Sequence, residues 1–91
     1  MRIEHAVPDF EQWKKAFDSD PVDRKASGVR RYQVLRAQDD SNYVMVDLEF
    51  DSLGEADAFL RAMEKVWGGP GKVVVLSPRA RVASVVEARD L

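Results

Sequence analysis

The chain contains no cysteine and a single histidine, His5. Disulfides are therefore excluded, and so is a zinc site built from thiolate and imidazole donors. Charge of one sign is also lacking. The 14 basic and 16 acidic residues are interspersed and leave a net charge of -2, too little for a broad field that would attract DNA, RNA or anionic lipid. No nucleic-acid partner is expected. No apolar run reaches the length that spans a bilayer, and the opening MRIEHAVPDF has no continuous apolar stretch of the signal-peptide kind. A soluble, cytoplasmic protein with no membrane partner is the expectation. No internal repeat or low-complexity linker interrupts the 91 residues, so residues 1–91 are read as one domain with a radius of gyration of roughly 12 Å. So small a domain buries a limited core, and self-association is the reinforcement left to it.

What is present is an order of segments. Met1, Ile3, His5 and Val7 share one parity and Arg2, Glu4 and Ala6 the other, as in a strand with one apolar and one charged face. Asp9 is a suitable N-cap with Gln12 as capping-box partner, and Phe10, Trp13 and Phe17 follow at helical spacing. Asp20-Pro21 can open a further helical turn, and Gly28 supplies a left-handed stop. Two strand runs, 29–37 and 43–50, flank five turn-forming residues. Setting Val34 opposite Val46 pairs Tyr32 with Leu48, Leu35 with Met45, Gln33 with Asp47, Arg31 with Glu49 and Arg30 with Phe50. Ser52 and Glu55 cap a second helix striped by Leu53, Ala56, Phe59, Leu60, Met63 and Trp67. Residues 72–76 read equally as strand or helical turn. Residues 81–88, with small apolar side chains at both parities, read as a last strand covered on both faces.

The sequence thus predicts an α+β domain, β-α-β-β-α-β, with an antiparallel sheet in the order 4-1-3-2 and both helices on one face. The other face would carry Arg2, Glu4, Ala6, Arg31, Gln33, Leu35, Tyr43, Met45, Asp47 and Glu49. Leu35, Tyr43 and Met45 make it too apolar for a free surface, which predicts a homodimer joined sheet to sheet.

The segments His5-Ala6-Val7-Pro8-Asp9-Phe10-Glu11-Gln12-Trp13-Lys14-Lys15-Ala16-Phe17-Asp18, Gly28-Val29 and Asp47-Leu48-Glu49-Phe50-Asp51 resemble the dimeric α/β-barrel superfamily. Within it the chain is most similar to short bacterial relatives of the antibiotic-biosynthesis monooxygenases. The resemblance implies a ferredoxin-like subunit that dimerises through its sheets, in some members around a small-molecule pocket. It implies oxygenase, isomerase or cyclase chemistry without metal or flavin, or no activity at all. The haem-degrading branch is the least similar, because its iron-ligating histidine belongs to the second helix and the span 53–67 contains none.

Candidate site residues follow. His5 alone has an ordinary pKa near neutrality and is the candidate proton acceptor, although its parity with Ile3 and Val7 favours a packed histidine at the rim of the core. Tyr43 is the candidate orienting group. Arg31, Asp47 and Glu49 are candidate ligand-binding groups. The two carboxylates share a face and could divide acid and base roles or hold a hard cation, or could form ion pairs with Arg2 and Arg31. Trp13, Tyr32, Tyr43 and Trp67 could line an aromatic pocket, with Trp13 and Trp67 also on core stripes. Gly68-Gly69-Pro70-Gly71-Lys72 lacks the spacing of a phosphate loop and reads as a connector. Arg24, Lys25, Arg30, Arg31 and Arg36 read as solvated faces. No metal or cofactor is called for. The functional expectation is a protein that binds a small hydrophobic or aromatic molecule, with cofactor-independent monooxygenase or cyclase activity as the resemblance implies. The alternative is a non-catalytic homodimeric structural or protein-interaction module.

Overall fold

Both helices begin where a side chain can satisfy free backbone amides. Asp9 accepts a hydrogen bond from the Glu11 amide at 3.1 Å and starts α1 (Phe10–Asp18); the Gln12 partner is not used. Ser52 accepts from the Glu55 amide at 3.2 Å and donates to the Glu55 carboxylate at 3.0 Å, starting α2 (Leu53–Gly68). The computed structural model describes residues 1–91. Around the two helices run β1 (Arg2–Ala6), β2 (Val29–Arg36), β3 (Tyr43–Phe50) and β4 (Leu76–Arg81), with a single 3-10 turn at Pro70–Val73. The strands form one antiparallel sheet ordered β2-β3-β1-β4, which is 4-1-3-2 read from the other edge.

The alternating parity of the strands decides which face the helices cover. Ile3, His5 and Val7 from β1 and its exit, and Val44, Val46 and Leu48 from β3, are all buried. They pack with Trp13 of α1 and Phe59 of α2 in one cluster, so both helices lie on the same face. Val74 and Val75 close the cluster after the 3-10 turn. Residues 72–76 are therefore part helical turn, part buried connector, with the strand starting only at Leu76.

Three expectations need correction. Val29, not Arg30, lies opposite Phe50, because a bulge between Val29 and Arg31 adds a residue to β2; the other predicted pairs hold. Leu53 is exposed at the start of α2 rather than part of its buried stripe. The last strand is residues 76–81 and not 81–88. Pro78 would interrupt an inner strand, yet β4 is an edge strand, where proline is tolerated, and its pairing with β1 shifts there, with Ser77 at φ 49°. Pairing ends at Arg2↔Arg81. Residues 82–91 have no regular structure, and Val85 and Val86 are 80% and 96% exposed. This extended tail accounts for a radius of gyration of 13.3 Å, above that of a fully compact chain.

Between α1 and β2 the chain makes hydrogen-bonded turns instead of a second short helix, with Asp20 and Asp23 at φ 55° and 51°. Gly28 ends the segment at φ 98°, and a Cβ there would stand 2.5 Å from the Glu55 carboxylate. Gly28→Ala is expected to destabilise the fold by about 1–2 kcal/mol through backbone strain, since the carboxylate can swing aside. An unchanged denaturant midpoint would rule this strain out.

Candidate functional site

The helices do not seal the sheet completely. A cavity of about 100 Å³ lies between them, lined mainly by hydrophobic side chains that include Trp13, Phe59, Met63, Trp67 and Val74. The polar group on its sheet wall is His5, which is only 3% exposed. β1 places it there, because residue 5 shares the parity of Ile3 and Val7. Its ring meets Trp13 edge to face at 5.7 Å.

The hydrogen bonds of His5 fix its chemistry. Nδ1 lies 3.1 Å from the Ala6 carbonyl oxygen, which can only accept, so Nδ1 carries the proton in the neutral ring. Nε2 is then a lone-pair acceptor, and no protein hydrogen bond reaches it. No nitrogen or oxygen fully shut away from solvent lacks a partner, so Nε2 opens on accessible space. Burial lowers the His5 pKa below its ordinary 6.5, opposed by the Ala6 contact. The ring is thus neutral at neutral pH and can accept a hydrogen bond or a proton from a molecule in the cavity.

One wall near the cavity mouth comes from the segment after α1. The Arg24 guanidinium donates to the Phe17 carbonyl at 2.7 Å and lies 3.9 Å over the Phe17 ring and 4.9 Å from that of Tyr32. Its backbone amide donates to Asp20 at 2.9 Å. Arg24 is therefore a packed clamp and not part of a solvated face. Arg36 likewise lies 4.0 Å over the Phe10 ring. Only the tertiary fold brings these partners together.

The remaining candidates stand on the opposite side of the sheet. Tyr43 donates to Glu4 at 2.7 Å across β1 and β3. This bond raises the phenol pKa, with Arg79 acting weakly against it, so Tyr43 stays protonated at neutral pH. Arg2 grips Asp47 through two bonds of 2.8 and 2.9 Å, and Gln33 donates to the same carboxylate at 3.2 Å. The Arg2 bonds hold Asp47 below the usual carboxylate range. Arg31 and Glu49 are 3.8 Å apart and exposed, a weak pair. Tyr43, Arg31, Asp47 and Glu49 thus share one face, while His5 faces the helices. Of the four aromatic candidates, Trp13 and Trp67 line the cavity, Tyr32 packs outside it against Phe17, and Tyr43 lies across the sheet. No three His, Asp or Glu side chains converge as a metal-ion site, and no helix is long and apolar enough to cross a membrane.

No family model, curated protein or solved structure matches the chain. The roles of these residues rest on their geometry.

Two pH dependences follow. His5 binds a proton more readily in the unfolded chain, so stability is full above about pH 6.5 and falls as pH drops from there toward the folded-state pKa. His5→Phe is expected to flatten this window in urea titrations. Asp47 has the opposite sign: its depressed pKa stabilises the fold above the ordinary carboxylate range, and that stability is lost as pH falls through the folded value. Asp47→Asn should flatten the acid limb and leave the His5 window unchanged.

Proposed function

We propose that the protein is a homodimeric binder of a small aromatic or hydrophobic molecule that carries an O–H or N–H donor. The observation that carries this reading is the unpartnered Nε2 of His5 on the sheet wall of a mainly apolar cavity. At about 100 Å³ the cavity is below the roughly 300–1,000 Å³ of ligand pockets, so an aromatic ring enters only as Met63 and Trp67 move. Both are half-buried, and methionine changes shape at low cost.

The chemistry such a site supports is proton transfer. His5 accepts the proton of an acidic hydroxyl and leaves an electron-rich anion between aromatic walls. That is the starting point for a cofactor-independent monooxygenase or a cyclase, in keeping with the resemblance to the dimeric α/β-barrel superfamily. Tyr43, Arg31, Asp47 and Glu49 are not within reach of that proton, since they lie across the sheet; their proposed place is the polar interior between two apposed sheets. There the Tyr43 oxygen, its proton donated to Glu4, can accept from and orient a second group.

A second reading is a non-catalytic homodimeric module, favoured by half-buried Leu35, Tyr43 and Met45 on the uncovered face. The two readings diverge under mutation. Small phenols are expected to bind about 2- to 10-fold more tightly than the matching arenes without a hydroxyl, the worth of one hydrogen bond. Tryptophan fluorescence reports this through Trp13 and Trp67. His5→Phe should erase the difference and Tyr43→Phe should preserve it. Equal binding of phenols and arenes to the native protein would reject the ligand reading. In the purely structural alternative, Asp47→Ala and Glu49→Ala weaken the dimer, and no variant alters ligand affinity.

A further inference from the structure

Residues 82–88, Val-Ala-Ser-Val-Val-Glu-Ala, have the composition of a strand, with three β-branched valines and neither proline nor glycine. They follow β4 directly, yet lie unpaired, with Val85 and Val86 almost fully exposed. At the far side of the sheet, β2 is an eight-residue edge strand whose outer row of backbone groups has no neighbouring strand. It contains no proline, and its bulge lies at the Val29 end, which leaves residues 31–36 as a regular stretch of open edge. The other edge is poorly suited to pairing, because β4 is interrupted by Pro78 and by the left-handed Ser77.

A chain cannot join its own two features. The tail leaves β4 at Arg81, and the outer side of β2 is four strand spacings away, roughly 19 Å. Seven extended residues span about 23 Å, so the crossing would consume the segment before it could pair. A second copy has no such limit. Its β2 carries Arg30, Arg31 and Arg36, and the one charge in residues 82–88 is Glu87, opposite in sign.

We infer that residues 82–88 of each chain add as a fifth strand to the β2 edge of a second copy. The exchange is reciprocal, as two-fold symmetry requires, and extends both sheets while their uncovered faces meet. The inference rests on the homodimer proposed above.

The absence of native cysteine makes a cross-linking test clean. In the 91-residue chain, Val85→Cys is combined in turn with Arg31→Cys, Tyr32→Cys, Gln33→Cys and Val34→Cys, with each single variant as control. The expected result is a covalent dimer from at least one pair, formed at least tenfold faster than from the single variants. Truncation after Arg81 leaves every strand intact and is expected to raise the dimer Kd at least tenfold, with cooperative unfolding retained. A native-mass dimer that gives no accelerated cross-link and keeps its Kd on truncation overturns strand exchange and leaves the sheet-face dimer standing. A monomer in native mass spectrometry of the unmodified chain overturns both.

Discussion

Burial of one face of β1 and β3 beneath Trp13 and Phe59 sets the terms for the rest of the molecule. In a strand, successive side chains go to opposite sides, so once Ile3, Val7, Val44, Val46 and Leu48 are committed to the helices, every intervening residue is committed to the other face. A one-residue slip would bury Arg2, Glu4 and Asp47 and expose the valines, which fixes the register firmly. His5 is carried inward by the same rule. Its burial follows from its neighbours and needs no special device.

The two faces consequently hold polar groups in different ways. Inside, a single imidazole avoids the desolvation penalty of a buried charge by staying neutral, with one nitrogen bonded to its own backbone and the other free. Outside, the polar groups are paired in cross-strand rows: Gln33, Asp47 and Arg2 in one, Tyr43 bonded to Glu4 beside it. The imidazole thus belongs to the inner face and the ion pairs to the outer one. On the sheet wall of the cavity His5 is the polar group, with Arg24 and Asp20 on the side of the segment after α1.

Much of this is legible in the sequence where local pattern and tertiary packing agree. The parity of Ile3, His5 and Val7, the stripe of Phe10, Trp13 and Phe17, and the loop between β2 and β3 point the same way as the fold, and the strand order follows from the element order. The site is less legible. That His5 turns inward is readable from parity, but its free Nε2 depends on the position of the Ala6 carbonyl. The clamp of Arg24 depends on Phe17 and Tyr32 meeting in space. The largest departure, the position of β4, has a physical origin: β-propensity favours residues 82–86, whereas pairing is decided by which residues face β1. An edge strand with a register shift accommodates Ser77-Pro78, and the segment of higher propensity is left without a partner.

That displaced propensity explains why the tail stays free in a single chain. Ordering a residue's backbone costs about 1–2 kcal/mol, while burying a valine returns about 1.5–3 kcal/mol, and only three of seven residues in 82–88 are valines. Hydrophobic burial alone therefore does not order the segment; it needs a strand edge for its backbone and a partner already held nearby. In the proposed dimer, apposition of two uncovered faces would supply the second condition, because it would turn the capture of the tail into an intramolecular step at high effective concentration. The ionic rows on the outer face and the valines of the tail would then be two halves of one association, the first setting orientation and the second adding buried area. With 13 of 91 residues buried and no cross-link, a domain of this size gains most from that combination.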